Sequence, residues 1–266
     1  MYKINYIHKI KAFIKKCNPW LYSIYRRYRN KDNYISGGFS HFNFFEGKFG
    51  VEIGGPSEFF NYTIPIYKVI AGLDNVNFSS KTMWEGTIKE GSTYNYFNNK
   101  YGSQFISEAS DLNYIKSNYY DFLISSNCLE HIANPIKAIE EWLRITKSGG
   151  YLLLILPNKS SNFDHRRQVT TFEHLISDYN NNIMENDLTH LDEILRLHDL
   201  TLDKAAGNLE KFKKRSLDNF SNRGLHHHVY DEILLKEIFE YFKQILVKIY
   251  STKYDCIALV RVCKSN

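Results

Sequence analysis

The stretch Tyr120–Asn158, YDFLISSNCLEHIANPIKAIEEWLRITKSGGYLLLILPN, decides the fold. Tyr120–Ser126 has the aromatic and β-branched density of a buried strand. Asn134-Pro135 then supplies an N-cap and a proline at the first helical position, where the missing N–H costs nothing. Ile136, Ile139, Trp142 and Leu143 recur at helical spacing, and Gly149-Gly150 can end that helix with positive φ. Tyr151–Leu156 is an unbroken strand-like run, suited to a sheet covered on both faces. Strand, helix and strand with short connections form a parallel crossover, so an α/β sheet is expected. The polar cluster Ser125–His131 falls just past the first strand's carboxyl end, where open α/β sheets bind ligands.

The order YDxxxSSxxLEH, NPxKAxxEWxR and KxGGxLLLxLP resembles the second half of an S-adenosylmethionine-dependent methyltransferase of the Rossmann-like class. That resemblance implies an α/β fold: a mostly parallel seven-stranded sheet with helices on both faces, plus a mainly helical cap inserted after strand 5. Upstream, Gly50–Ser57 (GVEIGGPS) is the matching cofactor loop: a strand end at Val51-Glu52-Ile53, then a Gly54-Gly55 turn that lets backbone approach a ligand. The family pattern is an acidic residue, any residue, then Gly-x-Gly-x-Gly. Here Glu52, Gly54 and Gly55 are present, but Pro56 and Ser57 stand where further glycines would fall. This EIGGPS variant resembles a narrower subgroup associated with bacterial capsule and lipopolysaccharide synthesis.

By the same resemblance, Asp74, after the apolar run Val69–Leu73, would accept from the ribose hydroxyls. Glu108 and Ala109 would form the turn that meets the adenine amino group. Ser126 and Asn127 would lie near the adenine or the methyl-bearing sulfur. His131 either reaches the cofactor or caps the following helix.

A chain of 266 residues, 43% hydrophobic and 15% aromatic, can bury a sizeable core. The four cysteines form no CxxC pair, and Cys128 and Cys256, in or beside predicted strands, read as small buried hydrophobes, in keeping with a reducing cytoplasm. No apolar run approaches the ~20 residues that span a bilayer. The net charge of +5 is uneven: residues 1–31 hold nine Lys and Arg and no carboxylate, leaving the remainder mildly acidic. Residues 1–35 are expected as a basic amphipathic helical segment. It could pack on the domain, dock on a partner protein, or touch the cytoplasmic membrane peripherally. No basic-aromatic groove pattern points to nucleic acid. The oligomeric state is left open.

The core is expected over 36–157 and 229–266, with an inserted substrate-binding cap over 158–228. Asp231–Lys243 reads as the next helix, and Ile245–Tyr250 and Asp255–Val262 as closing strands. Within the cap, Leu188, Leu191, Ile194 and Leu195 carry helical periodicity, and Thr189 with Asp192 resembles a capping box. Seven of the ten histidines fall between His165 and His228. Asp164-His165-Arg166-Arg167 offers planar paired donors for a phosphate or carboxylate, so Arg166 and Arg167, with His226 and His228, are substrate-binding candidates. His165, His190 and His227 are the candidate general bases for a hydroxyl acceptor. No metal site is assigned: three adjacent histidines in a strand point to alternate faces, although one or two of them could join His165 or His190 through folding.

The expected activity is transfer of a methyl group from S-adenosylmethionine, favouring oxygen, to a sugar, nucleotide-linked or phosphorylated intermediate of bacterial surface polysaccharide. The alternatives are a non-catalytic S-adenosylmethionine-binding partner protein and a nucleotide-sugar-modifying Rossmann enzyme. The second lacks both GxGxxG and a placed Tyr-x-x-x-Lys pair.

Overall fold

The structure, a computed structural model, describes residues 42–264. The basic segment 1–35 lies outside the described residues. Among the described residues there are ten strands: β1 Phe49–Ile53, β2 Gly72–Asn77, β3 Lys81–Thr82, β4 Gly86–Thr87, β5 Gly91–Phe97, β6 Lys100–Ile106, β7 Tyr120–Ser126, β8 Thr146–Pro157, β9 Ile245–Ser251 and β10 Asp255–Arg261. Eight of them form one sheet in the order β5-β6-β2-β1-β7-β8-β10-β9, and β3-β4 is a separate hairpin. β6, β2, β1, β7 and β8 run parallel; β5 at one edge and β10-β9 at the other pair antiparallel. The sheet is therefore mixed and eight-stranded, where a mostly parallel seven-stranded one was expected. The extra strand is β5, whose Tyr94 and Tyr96 alternate inward with exposed residues between them.

The two faces are covered unequally. Val51, Leu123, Leu152, Leu154 and Leu156 lie on one face, beneath helices Pro135–Ile145, Phe172–Asn180 and Glu232–Tyr241. Leu73, Phe122, Ile124, Leu153 and Ile155 lie on the other. Among the described residues that second face is covered by Phe45, a π-turn at Phe59–Thr63, a 3-10 turn at Ile66–Lys68 and the tyrosines of β5, not by long helices. Among the described residues, long helices cover the first face only.

Asn134 caps its helix as expected, accepting from the backbone N–H of Lys137 at 3.2 Å. The helix stops at Ile145, because the Thr146 hydroxyl donates to the Trp142 carbonyl at 2.7 Å and turns the chain into β8. Gly149 and Gly150 consequently lie inside β8 and do not end the helix. Gly150 has its own reason: a Cβ there would come within 2.6 Å of the Asp121 carbonyl oxygen on the neighbouring strand.

The segment expected as a cap divides in two. Helix Phe172–Asn180 sends Leu175 into the main core, whereas Ile194, Ala206, Phe212 and Leu225 gather in a small cluster of their own. Helix Leu191–Leu197 forms at the predicted periodicity, but Thr189 does not cap it; its hydroxyl donates to Asp187 at 2.7 Å. Among the described residues no helix is long and apolar enough to cross a membrane.

Candidate functional site

A cavity of about 650 Å³ opens at the carboxyl ends of β1, β2, β6 and β7. Its first wall is the turn after β1. Gly54 has φ +80, and a Cβ there would meet Cys128 Sγ at 3.1 Å. The turn is held from beneath by two buried amides. Asn75 accepts from the Gly55 N–H and donates to its carbonyl, both at 3.1 Å, and Asn77 donates to that carbonyl as well. Glu52 is fully buried behind the same turn. It accepts from the Tyr67 hydroxyl at 2.6 Å, the Tyr94 hydroxyl at 2.5 Å and the Ser57 N–H at 3.1 Å. A Cβ on Gly55 would strike the Glu52 carboxyl at 2.2 Å, so the second glycine makes room for this brace. Burial pushes the Glu52 carboxyl up to about 7 despite those donors. Pro56 faces the cavity; Gly55 and Glu52 support it from behind.

Asp74 falls short of the cavity. It sits in the middle of β2, not at its end, and its carboxylate accepts from the Ser103 N–H at 2.7 Å and the Tyr120 hydroxyl at 2.9 Å. The residues that reach the cavity from the end of this strand are Asn77 and Phe78. The apolar run ending at Leu73 placed the strand end too early, because the buried polar residues Asn75 and Asn77 read as loop. Their amides are instead satisfied by Gly55 and, for Asn75, also by Gln104 at 2.9 Å.

Glu108, Ala109, Ser126, Asn127 and His131, five of the residues expected at the cofactor, all line the cavity. Asn127 holds φ +50, a conformation asparagine tolerates better than most residues, and so turns the chain at the tip of β7. The buried Ser126 hydroxyl has no protein partner. Cys128 also faces the cavity, but burial and nearby carboxylates push its thiol up to about 12 and keep it protonated.

His131 ends the 3-10 turn Leu129–His131 and does not cap the next helix, which Asn134 does. Its Nδ1 lies 2.8 Å from the Leu225 carbonyl, which can only accept; Nδ1 therefore carries the hydrogen and Nε2 the lone pair. Burial, then the neighbouring His226, depress its pKa to about 3. Trp84 from the β3-β4 hairpin meets its ring at 5.5 Å and His226 does so edge-on at 4.6 Å. Beside it Glu130 is buried, with both carboxyl oxygens unpartnered and its pKa pushed by burial up to about 7.

Two cavity residues had no signal in the sequence. Arg223 sits at φ +52 after a short helical turn, stacked over Phe78 and Phe220. It pairs with Glu108 at 2.5 Å and with Glu185 at 2.6 Å, and Glu185 also accepts from the Ala133 N–H. A lone arginine and a lone glutamate become legible only once the fold brings them together.

The residues proposed for the acceptor side are dispersed, and none of them lines the cavity. His165 and Arg166 both bond Asp199, at 3.0 and 2.8 Å. Arg167 is 2% exposed and spends its donors on Asp164, Glu193 and the carbonyls of His226 and His227. It is a buried tie, not a phosphate ligand. His227 is buried against Asn219, with burial lowering its pKa to about 4. His190 meets His174, and His228 meets the Ala133 carbonyl. His226 bonds Asp164 at 2.5 Å and reaches the site only through its contact with His131.

The family described as Methyltransferase domain matches residues 64–242, about two-thirds of the chain. Among solved structures, an S-adenosylmethionine-dependent methyltransferase from Aquifex aeolicus is 15% identical, covering 84% of this chain and 87% of that one, with a TM-score of 0.47. One from Methanosarcina mazei is 15% identical over 84% of this chain and 96% of that one, also at 0.47. One from Mesorhizobium loti is 8% identical over 82% and 92%, at 0.47. No curated protein matches.

Proposed function

The chain belongs to the methyltransferase-domain family and uses S-adenosylmethionine as its cofactor, and from that premise we propose that it methylates a hydroxyl oxygen of a sugar-like acceptor held in the cavity beside His131. The cavity suits the cofactor on two observations. A side chain at Gly54 would fill its cradle, and the buried Ser126 hydroxyl has no protein partner. Gly54, Pro56, Asn77, Glu108, Ala109, Ser126 and Asn127 would hold it. When bound, it supplies an electrophilic methyl group on a sulfonium centre.

The single observation that carries the acceptor reading is the fixed tautomer of His131. Its Nε2 lone pair can accept from an acceptor hydroxyl and orient that oxygen for in-line attack. With its pKa so low, His131 aligns the hydroxyl but does not keep the proton. Glu130 is buried behind His131 and outside the cavity lining, with one ligand atom each of Glu130, His131 and His226 within 4.8 Å of one another; its carboxyl, raised by burial to about 7, would receive the proton by relay through His131 and not from the acceptor directly. In this reading His131, with Glu130 behind it, replaces His165, His190 and His227 as the candidate for handling the acceptor's proton.

The rest of the lining sets the carboxyl-bearing residues Glu85, Glu185 and Asp255 among the rings of Phe59, Trp84 and Tyr254, a mixture of polar and aromatic groups that suits a hydroxylated acceptor. A phosphorylated acceptor loses its support, since Arg166 and Arg167 are engaged elsewhere. The surface-polysaccharide setting rests on the EIGGPS and LEH segments of the sequence.

The test offers methyl-labelled cofactor with a panel of sugars and nucleotide-linked sugars, and locates the label by NMR. Glu130→Gln and His131→Ala should keep S-adenosylhomocysteine affinity within about twofold while transfer falls on the order of a hundredfold. Full transfer by both variants, or label on nitrogen or sulfur, overturns the proposal.

A further inference from the structure

Away from the cofactor cavity, four side chains from three separate segments converge. His174 and Asp178 stand one turn apart on helix Phe172–Asn180. His190 immediately precedes helix Leu191–Leu197, and His228 comes from the extended stretch before helix Glu232–Tyr241. One nitrogen or oxygen from each lies within 4.8 Å of the other three.

The individual separations are tighter. His174 Nε2 is 3.0 Å from His190 Nε2 and 3.3 Å from Asp178 Oδ2, and His228 Nε2 is 3.6 Å from that same oxygen. A tetrahedral zinc ion with ligand bonds of ~2.0–2.1 Å spaces its ligand atoms by about 3.4 Å. The observed distances straddle that edge. The three imidazole rings also meet edge to face in every pairing, at 61° to 78°, as rings do when they radiate from a common point.

Protein hydrogen bonds alone satisfy this cluster poorly. His174 Nε2 faces two acceptors at once, the Asp178 carboxylate and, if His190 turns a lone pair towards it, a second imidazole.

We propose that His174, Asp178, His190 and His228 form a structural site for a divalent transition-metal ion, with zinc the best fit to three imidazoles and one carboxylate. On binding, His228 exchanges the contact of its Nε2 with the Ala133 carbonyl, at 3.2 Å, for a bond to the ion. Four protein ligands leave no open coordination position, which is the pattern of a structural zinc and not of a catalytic one. Entry is open, because the His174 side chain is 39% exposed. His190 Nδ1, on the side of the ring away from the ion, faces the Glu193 carboxylate at 3.8 Å, a separation that would have to close for the carboxylate to orient the ring.

The consequence reaches the cavity. Asp178 and His190 bracket the loop that carries Glu185, which lines the cavity and pairs with Arg223. An ion clamping both ends of that loop to His228 would fix this wall of the cavity in place.

The test uses the full chain without a histidine tag, stripped with a chelator and titrated with Co²⁺, whose visible absorption reports tetrahedral coordination. The expected result is one saturating equivalent displaced by Zn²⁺, with Zn²⁺ raising the thermal midpoint of the wild type. His174→Gln and His190→Gln should weaken binding at least a hundredfold and abolish the midpoint rise. His174 is half-exposed, so that variant retains its fold. Glu130→Gln, which alters the other histidine–carboxylate group at Glu130, His131 and His226, should leave binding unchanged. Absence of stoichiometric metal in the wild type, survival of binding in the double His174→Gln/His190→Gln variant, or loss in Glu130→Gln would each overturn the site.

Discussion

Arg223 donates through one guanidinium nitrogen to Glu108 at 2.5 Å, although 115 residues separate them in the chain. Its other terminal nitrogen lies 2.6 Å from Glu185. One cation thus ties the turn after β6 to the loop that carries Glu185 on another wall of the cavity. Arg223→Met keeps most of the stacking bulk on Phe78 and removes the charge. It leaves the well-buried Glu185 carboxylate unpaired, and the expected loss is on the order of 2–3 kcal/mol in urea unfolding. The more exposed Glu108 contributes little to that figure. An unchanged denaturation midpoint would show that the bridge does not hold the wall.

Arg166 and Arg167 are adjacent in sequence and opposite in consequence. Arg166 is half-exposed and meets one carboxylate; Arg167 is buried among two carboxylates and two carbonyls. Arg166→Ala should cost under about 0.5 kcal/mol, whereas Arg167→Ala should cost about 3 kcal/mol or more, by leaving buried Asp164 with His226 as its remaining partner and the His226 and His227 carbonyls without their donor. Paired thermal melts would check this, and equal effects would contradict the assigned environments.

Glu52 makes stability depend on pH in a defined direction. Its carboxyl is raised by burial to about 7 in the folded protein, from an ordinary value of 4.5. Between these values the native state binds more protons than the unfolded chain, so the contribution is fully present below about pH 4.5 and is lost as pH rises through 7. The size is on the order of 3 kcal/mol. Glu130 adds a loss of the same sign over the same window. Glu52→Gln should flatten the fall in thermal midpoint from pH 5 to 8 relative to wild type; an equally steep fall would remove Glu52 as its source.

The same neutral-range carboxyl at Glu130 sets a kinetic expectation. If it receives the acceptor's proton, transfer should increase as pH rises through about 7, following its deprotonation. A pH–rate profile under saturating cofactor reads this directly, and a flat profile from pH 6 to 8 would assign the proton elsewhere.

The sheet was legible where burial on both faces forces a pattern. β7 and β8 carry unbroken apolar runs, and the Asn134-Pro135 helix start is a local signal that the fold did not override. β5 was missed because its inward tyrosines alternate with polar, exposed residues that read as loop. The tight turn after β1 was legible because Gly54 and Gly55 serve needs written into a few consecutive residues, a left-handed φ and space for Glu52. Asp74 was misplaced because sequence spacing fixes how far along the chain a residue lies and not where its strand ends. The histidines were legible only as a concentration. Which of them faces the cavity depends on distant partners, namely Leu225 for His131, Asp164 for His226, Asn219 for His227 and His174 for His190.

Calorimetric titration of the wild type and of Gly54→Val with S-adenosylhomocysteine tests the central claim most directly. The account predicts one site of micromolar affinity in the wild type. It also predicts at least a tenfold loss in Gly54→Val, whose side chain would enter the cradle against Cys128 at a φ of +80. A folded wild type that binds no S-adenosylhomocysteine, or a folded Gly54→Val that binds it undiminished, would contradict the account.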